Sequence, residues 1–151
     1  MKALIIGGNR FLGHELALRL VAAGDSVTLF NRGTLGDALG ARVERLHGDR
    51  TTGDLERLLE GRRFDAAIDF ARSDPAGLAA KLQRFAPGIL AFNGRKAAQV
   101  FLGRSRVATG LQPEVVGATR LFVAPSTSGA ARGYWDIGVW RELAELVRGH
   151  R

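Results

Sequence analysis

Residues 1–13 read MKALIIGGNRFLG, and the rest of the chain is organised around them. Ala3, Leu4, Ile5 and Ile6 form an unbroken apolar run, the pattern of a parallel strand covered on both faces. Gly7, Gly8 and Gly13 then let the backbone turn tightly, approach a phosphate closely and pack the next helix against the strand. The free N–H groups at the start of that helix, with its dipole, would make an anion site. A glycine turn alone is equally compatible with no ligand. Its context is what raises it. A helix is predicted over 14–23, with Leu16, Leu18, Leu20 and Val21 among polar positions and Gly24-Asp25 ending it. A strand over Ser26–Asn31 completes a β-α-β unit.

The chain has 151 residues, enough for one domain or two very small ones. It has no cysteine, which excludes disulfides and thiolate metal sites. His14, His47 and His150 are too scattered for a metal cluster, so no metal is expected. No apolar run reaches membrane-spanning length and Met1-Lys2 leads straight into a strand, so a cytoplasmic location and no membrane partner are expected. The net charge is +7, and residues 72–151, with twelve basic and five acidic side chains, carry all of it. That asymmetry suggests a polyanion partner for the second half; a biased composition, with 19 of the 22 basic residues arginine, is the alternative.

Further along, 32–40 reads as a loop and 42–47 as a third strand. Thr51 or Thr52 would cap a helix running to Gly61, with Leu55, Leu58 and Leu59 inward. A fourth strand spans 64–70, and Ser73 or Asp74 caps a helix that begins at Pro75, ends near Phe85 and is stopped by Pro87-Gly88. A fifth strand covers 89–92, a helix 95–102, a loop 103–118 and a sixth strand 120–124. The small-residue loop 125–133 precedes a last helix over about 136–148, with Val139, Leu143 and Leu146 inward. Strands alternating with helices predict an α/β fold, a doubly wound, Rossmann-like parallel sheet of order 3-2-1-4-5-6 in a single three-layer α/β/α domain. The turns after the strands would share one edge, where such folds bind ligands.

Residues 1 to about 71 resemble the N-terminal half of atypical short-chain dehydrogenase/reductases and epimerase-like proteins, through IIGGNRFLG, VTLFNRG, ERLHGDR and FDAAIDF. The resemblance implies a cofactor pyrophosphate at Gly7, Gly8, Asn9, Arg10, Phe11 and Gly13, with Arg10 where many members have a glycine. An acidic residue often follows the second strand in that family to hold a ribose; here stand Asn31 and Arg32, and arginine can grip a 2′-phosphate with two hydrogen bonds. NADP rather than NAD is implied. Asp49 sits where the family contacts adenine, or is an ordinary loop acid capping a turn, with Arg50 beside it. Phe70 and Ala71 end the strand whose loop passes the cofactor ribose. The family's catalytic pair, a tyrosine with a lysine four residues on, is absent: Tyr134 is the only tyrosine, and Gly138 stands four residues later.

From about Ser73 onward the chain resembles a different family, the mismatch-specific uracil/thymine DNA glycosylases. The matching blocks are DPAGLAAKLQRFAPGILAFNGRKAAQVFLG, GLQPE, ATRLFVAPSTSGAARGYWD and WRELAELV. By that resemblance Asn93, Gly94, Arg95 and Lys96 lie near the DNA backbone, and Ser126, Thr127 and Ser128 donate hydroxyls to phosphates. Gly129 belongs to the loop that enters the duplex, Ala130 falls near its wedge position, and Arg132 is a phosphate or strand contact. Residues 126–133 as a mere flexible loop, and Tyr134, Trp135 and Trp140 as core or helix-packing aromatics, are the plainer readings. The family's glycine-asparagine-proline loop after the first strand is missing, GGNRFLG standing there instead. The chain therefore reads as a composite with its seam near 71–73. An NADP(H)-binding protein without a complete catalytic set is expected, and a glycosylase-like protein that binds duplex DNA without excising a base is the alternative.

Overall fold

The N-terminal apolar run becomes strand β1 (Lys2–Ile6), whose last four residues are buried. The computed structural model describes residues 1–7, 11–34, 36, 38–70 and 74–149, and it divides into two units, Met1–Arg72 and Ser73–Arg151.

In the first unit β1 pairs in parallel with β2 (Ser26–Asn31), Ile5 opposite Leu29, and β2 pairs in parallel with β3 (Glu44–His47). On its other side β1 pairs in parallel with β4 (Ala66–Asp69), Ile5 opposite Ile68. The order is β3-β2-β1-β4, the first four places of the expected sheet. Alternate residues of β1 serve opposite faces. Ile5 joins Val27 and Leu29 under helix α1 (Phe11–Ala22), which contributes Ala17 and the partly buried Leu16, Leu20 and Val21. Leu4 and Ile6 join Phe30, Leu55 and Leu59 on the side of the short helix α2 (Asp54–Leu58). A sheet buried on both faces is why β1 lacks apolar–polar alternation and why even Thr28 of β2 is buried.

Two details differ from expectation. Helix α1 begins at Phe11, earlier than residue 14, so Gly13 lies in its first turn and is buried. Helix α2 is one turn long, and neither Thr51 nor Thr52 caps it. Gly53, at φ 82°, precedes the helix, and both threonines bond back to Asp49 instead.

The second unit opens with α3 (Pro75–Phe85). Asp74 caps it, its carboxylate accepting from the Gly77 N–H at 2.8 Å with proline at the first helical position, while Ser73, the other candidate, lies outside the described residues. Strand β5 (Ile89–Asn93) and helix α4 (Arg95–Leu102) fall where the sequence places them. The expected loop 103–118 instead contains β6 (Gly110–Val116), which runs antiparallel to β7 (Thr119–Ala124). Gly117, at φ 58°, allows the two-residue turn between them. Strand β7 also pairs in parallel with β5, giving a separate three-stranded sheet of order β5-β7-β6. The expected neighbours, the fifth and sixth strands read from sequence, are thus adjacent and parallel. Among the described residues the strands form two hydrogen-bonded sheets rather than one continuous six-stranded sheet of order 3-2-1-4-5-6, since β4 and β5, the neighbours that would join them, are not paired.

Leu121 and Val123 pack with Phe92, Ala98 and the partly buried Leu78 and Phe101, while Phe122 is fully buried, and α5 (Ile137–Arg148) packs on β7 and β6. Burying each such side chain contributes roughly 1.5–3 kcal/mol. Val139, Leu143 and Leu146 are half-buried, as expected, and Asp136 caps α5 by accepting from the Gly138 N–H at 2.8 Å.

Candidate functional sites at the two sheet edges

In the first unit the carboxyl ends of the strands gather most of the residues expected to meet a dinucleotide. Gly7 leaves β1 at φ 78° and donates its N–H to the Phe30 carbonyl at 3.0 Å, which fixes where the glycine turn departs. Gly13 is buried within the first turn of α1, as a residue that lets helix and strand approach must be. Gly8, Asn9, Arg10 and Ala71 lie outside the described residues, and Phe11 is placed only as the start of α1.

At the end of β2 the Asn31 Oδ1 accepts from the Gly33 N–H at 2.7 Å, a local turn made possible by Gly33 at φ 71°. The Asn31 Nδ2 is buried without a partner. Arg32, between them, is exposed. Asp49, after β3, accepts from the N–H and hydroxyl of Thr51 at 2.8 and 2.6 Å. Those two bonds hold its carboxyl below the usual carboxylate range, and the Arg32 charge lowers it further. The turn-capping reading of Asp49 is therefore satisfied by geometry. The Asp49 N–H donates to Asp54 at 3.0 Å, and Asp54, bonded chiefly to Arg57, falls to about 2. Arg50 is paired with Asp69, the last residue of β4, at 3.3 Å. Asp69 was not singled out from sequence, although a carboxylate at the end of a parallel strand is a signal for this edge. Phe70 follows it, 40% exposed, with its N–H on the Ile6 carbonyl at 3.0 Å.

In the second unit the ends of β5 and β7 bring together most of the other predicted set. The Asn93 Nδ2 donates to the Thr127 Oγ1 at 2.8 Å, and the Thr127 N–H donates to the Asn93 Oδ1 at 3.0 Å. Gly94 is buried between the loops, its N–H on the Ala124 carbonyl at 2.9 Å. The Ser126 hydroxyl accepts from the Ser128 N–H at 3.2 Å. Ser126, Thr127, Ser128, Gly129, Arg132 and Trp135 line an open cleft of about 330 Å3. Ala130 and Lys96 are exposed and do not line it. Residues Gly129–Tyr134 form a 3-10 helix where a flexible loop was one of the readings. Tyr134 and Trp135 are 73% and 47% exposed, so neither is a core aromatic, whereas Trp135 stacks on Trp140 of α5 with ring centroids 5.8 Å apart, as helix-packing aromatics do. The Arg95 guanidinium stands 5.8 Å from the Tyr134 ring centroid.

Among the described residues no group of His, Asp and Glu could hold a metal ion, and no helix is long and apolar enough to cross a membrane.

No protein-family model and no curated protein sequence matches the chain. Solved structures are similar in fold. UDP-glucose 4-epimerase of Thermus thermophilus, in complex with NAD, gives a TM-score of 0.51 at 18% identity over 62% of this chain and 37% of that one. UDP-glucose 4-epimerase of Thermotoga maritima, with UDP-glucose, gives 0.50 at 17% identity over 62% and 38%. The chain thus spans well under half the length of these enzymes. The likeness defines the class of fold: it is α/β, a parallel sheet with flanking helices, Rossmann-like.

Proposed function

We propose that the first unit binds a nicotinamide dinucleotide, NADP(H) in preference to NAD(H), without a complete catalytic set of its own. The observation that carries this reading is the exposed Arg32 at the carboxyl end of β2, spanned by the Asn31–Gly33 hydrogen bond in a β-α-β unit that leaves β1 through a left-handed glycine. The residues present fit the group. Gly7 and Gly13 frame the turn, the unpartnered Asn31 Nδ2 is a donor in reserve, and Arg32 offers the planar fork that suits a phosphate. The Thermus epimerase shares the fold, and its structure holds NAD. The bound cofactor would supply a hydride donor or acceptor. The chain's only tyrosine, Tyr134, has Gly138 four residues on and an arginine over its ring, so the usual proton-transfer pair is not assembled. The test is binding of NADPH followed by its own fluorescence, and the loss of that binding in Arg32→Asp.

A second reading is that the second unit, which follows a seam near 71–73, contacts the backbone of duplex DNA as a glycosylase-like half. It is favoured by the Asn93–Thr127 pair, which holds the hydroxyl-bearing residues 126–128 against Gly94 at the start of α4. Removing Arg95 and Lys96 should flatten the salt dependence of DNA binding, and an unchanged slope would count against it.

A further inference from the structure

We propose that the second unit takes single-stranded nucleic acid, stacking an unpaired base on Trp135 with Tyr134 beside it and seating the adjoining phosphate in the cleft. This rests on the nucleic-acid reading of the second unit and adds the state of the strand and the residues that sense it.

The aromatic pair is the starting point. Trp135 lies against Trp140 with ring centroids 5.8 Å apart and planes at 29°, so one of its faces is covered from within the protein. It nevertheless stays 47% exposed and lines the cleft, which leaves the other face for something outside the fold. Tyr134 precedes it at 73% exposure. The part of these two adjacent aromatic rings that stays in water gains nothing for folding, and exposed apolar surface of this size marks a binding surface.

The surroundings state the chemistry of the ligand. Arg132 lines the same cleft as Trp135, and the hydroxyls of Ser126, Thr127 and Ser128 supply neutral donors suited to phosphate oxygens. Arg95 is held over Tyr134. The nearest acid in sequence, Asp136, is committed to the first turn of α5 through the Gly138 N–H. Residues 72–151 carry twelve basic against five acidic side chains, which favours a polyanion. A flat aromatic face next to phosphate donors asks for a nucleobase and its phosphate together.

Duplex cannot satisfy that face. In a double helix each base is covered above and below by its neighbours and shows only its edges in the grooves. An exposed tryptophan can be covered only by a base that has left the stack, which single strands provide without cost of unpairing.

The chain's two tryptophans are both in this platform, so their fluorescence reports on it alone. The full chain is titrated with short oligothymidylate, with oligouridylate of equal length and with a blunt duplex, at several salt concentrations. The account predicts quenching by the single strands at concentrations about tenfold below those needed for duplex, and about tenfold weaker binding in Trp135→Leu and in Tyr134→Ala. Oligothymidylate against oligouridylate tells whether DNA or RNA is preferred on the same platform. Tyr134→Ala, at a position mostly in water, guards against loss by unfolding, and circular dichroism checks it. Duplex bound as tightly as single strand, or either variant binding single strand like the parent, overturns the proposal while leaving the backbone reading in place. Binding of neither polymer removes both, and NADPH binding is a separate measurement untouched by either result.

Discussion

Asn93 and Thr127 clasp one another through both ends of the asparagine amide, Nδ2 to the threonine hydroxyl at 2.8 Å and Oδ1 from the threonine N–H at 3.0 Å. The pair joins the ends of two parallel neighbours, β5 and β7, and sets the loop 125–128 beside the start of α4. Each such bond contributes about 1 kcal/mol net. Asn93→Ala should therefore lower stability by about 1–2 kcal/mol in urea unfolding. Asn93→Asp, which keeps the acceptor and loses the donor, should lose about half of that. Equal stability in Asn93→Ala would mean that the clasp does not hold in solution.

Gly94 adds a backbone constraint at the same place. Its φ of 105° and ψ of 149° belong to a region closed to other residues, and a Cβ there would meet the Ser126 Cβ at 3.0 Å. Gly94→Ala should cost roughly 1–3 kcal/mol and weaken any ligand that uses Ser126. Gly103, at φ 65° with nothing within 4 Å of a Cβ, is the control. Gly103→Ala should cost about 1 kcal/mol and leave binding alone.

Under the proposed function, cofactor choice turns on Arg32. Arg32→Asp should weaken NADPH by about tenfold or more, since it replaces a charge-assisted pair with repulsion, and change NADH much less. It should also let the Asp49 carboxyl rise, because the Arg32 charge is one of the causes that lower it. Competition titration reads the first effect and carbon-detected NMR of the aspartates the second.

Acid should act through the carboxylates tied down in the first unit. Glu44 accepts both from Arg62 at 2.8 Å and from the buried Thr28 hydroxyl at 2.9 Å, and the Arg62 bond is the main reason its pKa lies below the ordinary 4.5. A folded-state pKa below the unfolded one contributes stability that is complete above the unfolded value and disappears as pH falls through the folded one. The Tm deficit of Arg62→Gln relative to the parent should therefore be constant at neutral pH and shrink as pH drops below 4.5. For Arg57→Gln, acting on Asp54, the deficit should shrink between pH 3.8 and about 2. A deficit that grows on acidification would have the wrong sign.

Much of the fold is legible in the chain because its signals are local. Strand β2 and helix α4 fall at the expected residues, and α3 carries both its aspartate cap and its first-turn proline in the sequence itself. Strand β6 was hidden by Pro113, which argues against a central strand. It is tolerated because β6 is an edge and its pairing is interrupted between Leu111 and Val115. The partition into two sheets was hidden too, since whether β4 pairs with β5 is a long-range choice that no local pattern reports, and the sequence marks the β6–β7 hairpin only with Gly117. At the sites, Asn31, Arg32 and Asp49 were readable as strand-end residues, whereas the Arg50–Asp69 pair joins positions 19 apart that only tertiary structure brings together. Tyr134 and Trp135 look like core residues by type. Their exposure depends on how the 3-10 helix that ends at Tyr134 is set, which no local pattern reports.

Under the proposed function the first unit prefers a dinucleotide with a 2′-phosphate. A fluorescence titration of the intact chain with NADPH and, in parallel, NADH reads that preference without intermediate steps. Saturable binding about tenfold or more tighter for NADPH is the predicted result, the margin being that of a charge-assisted Arg32–phosphate pair. Equal affinity for the two cofactors, or saturation by neither, would contradict the account.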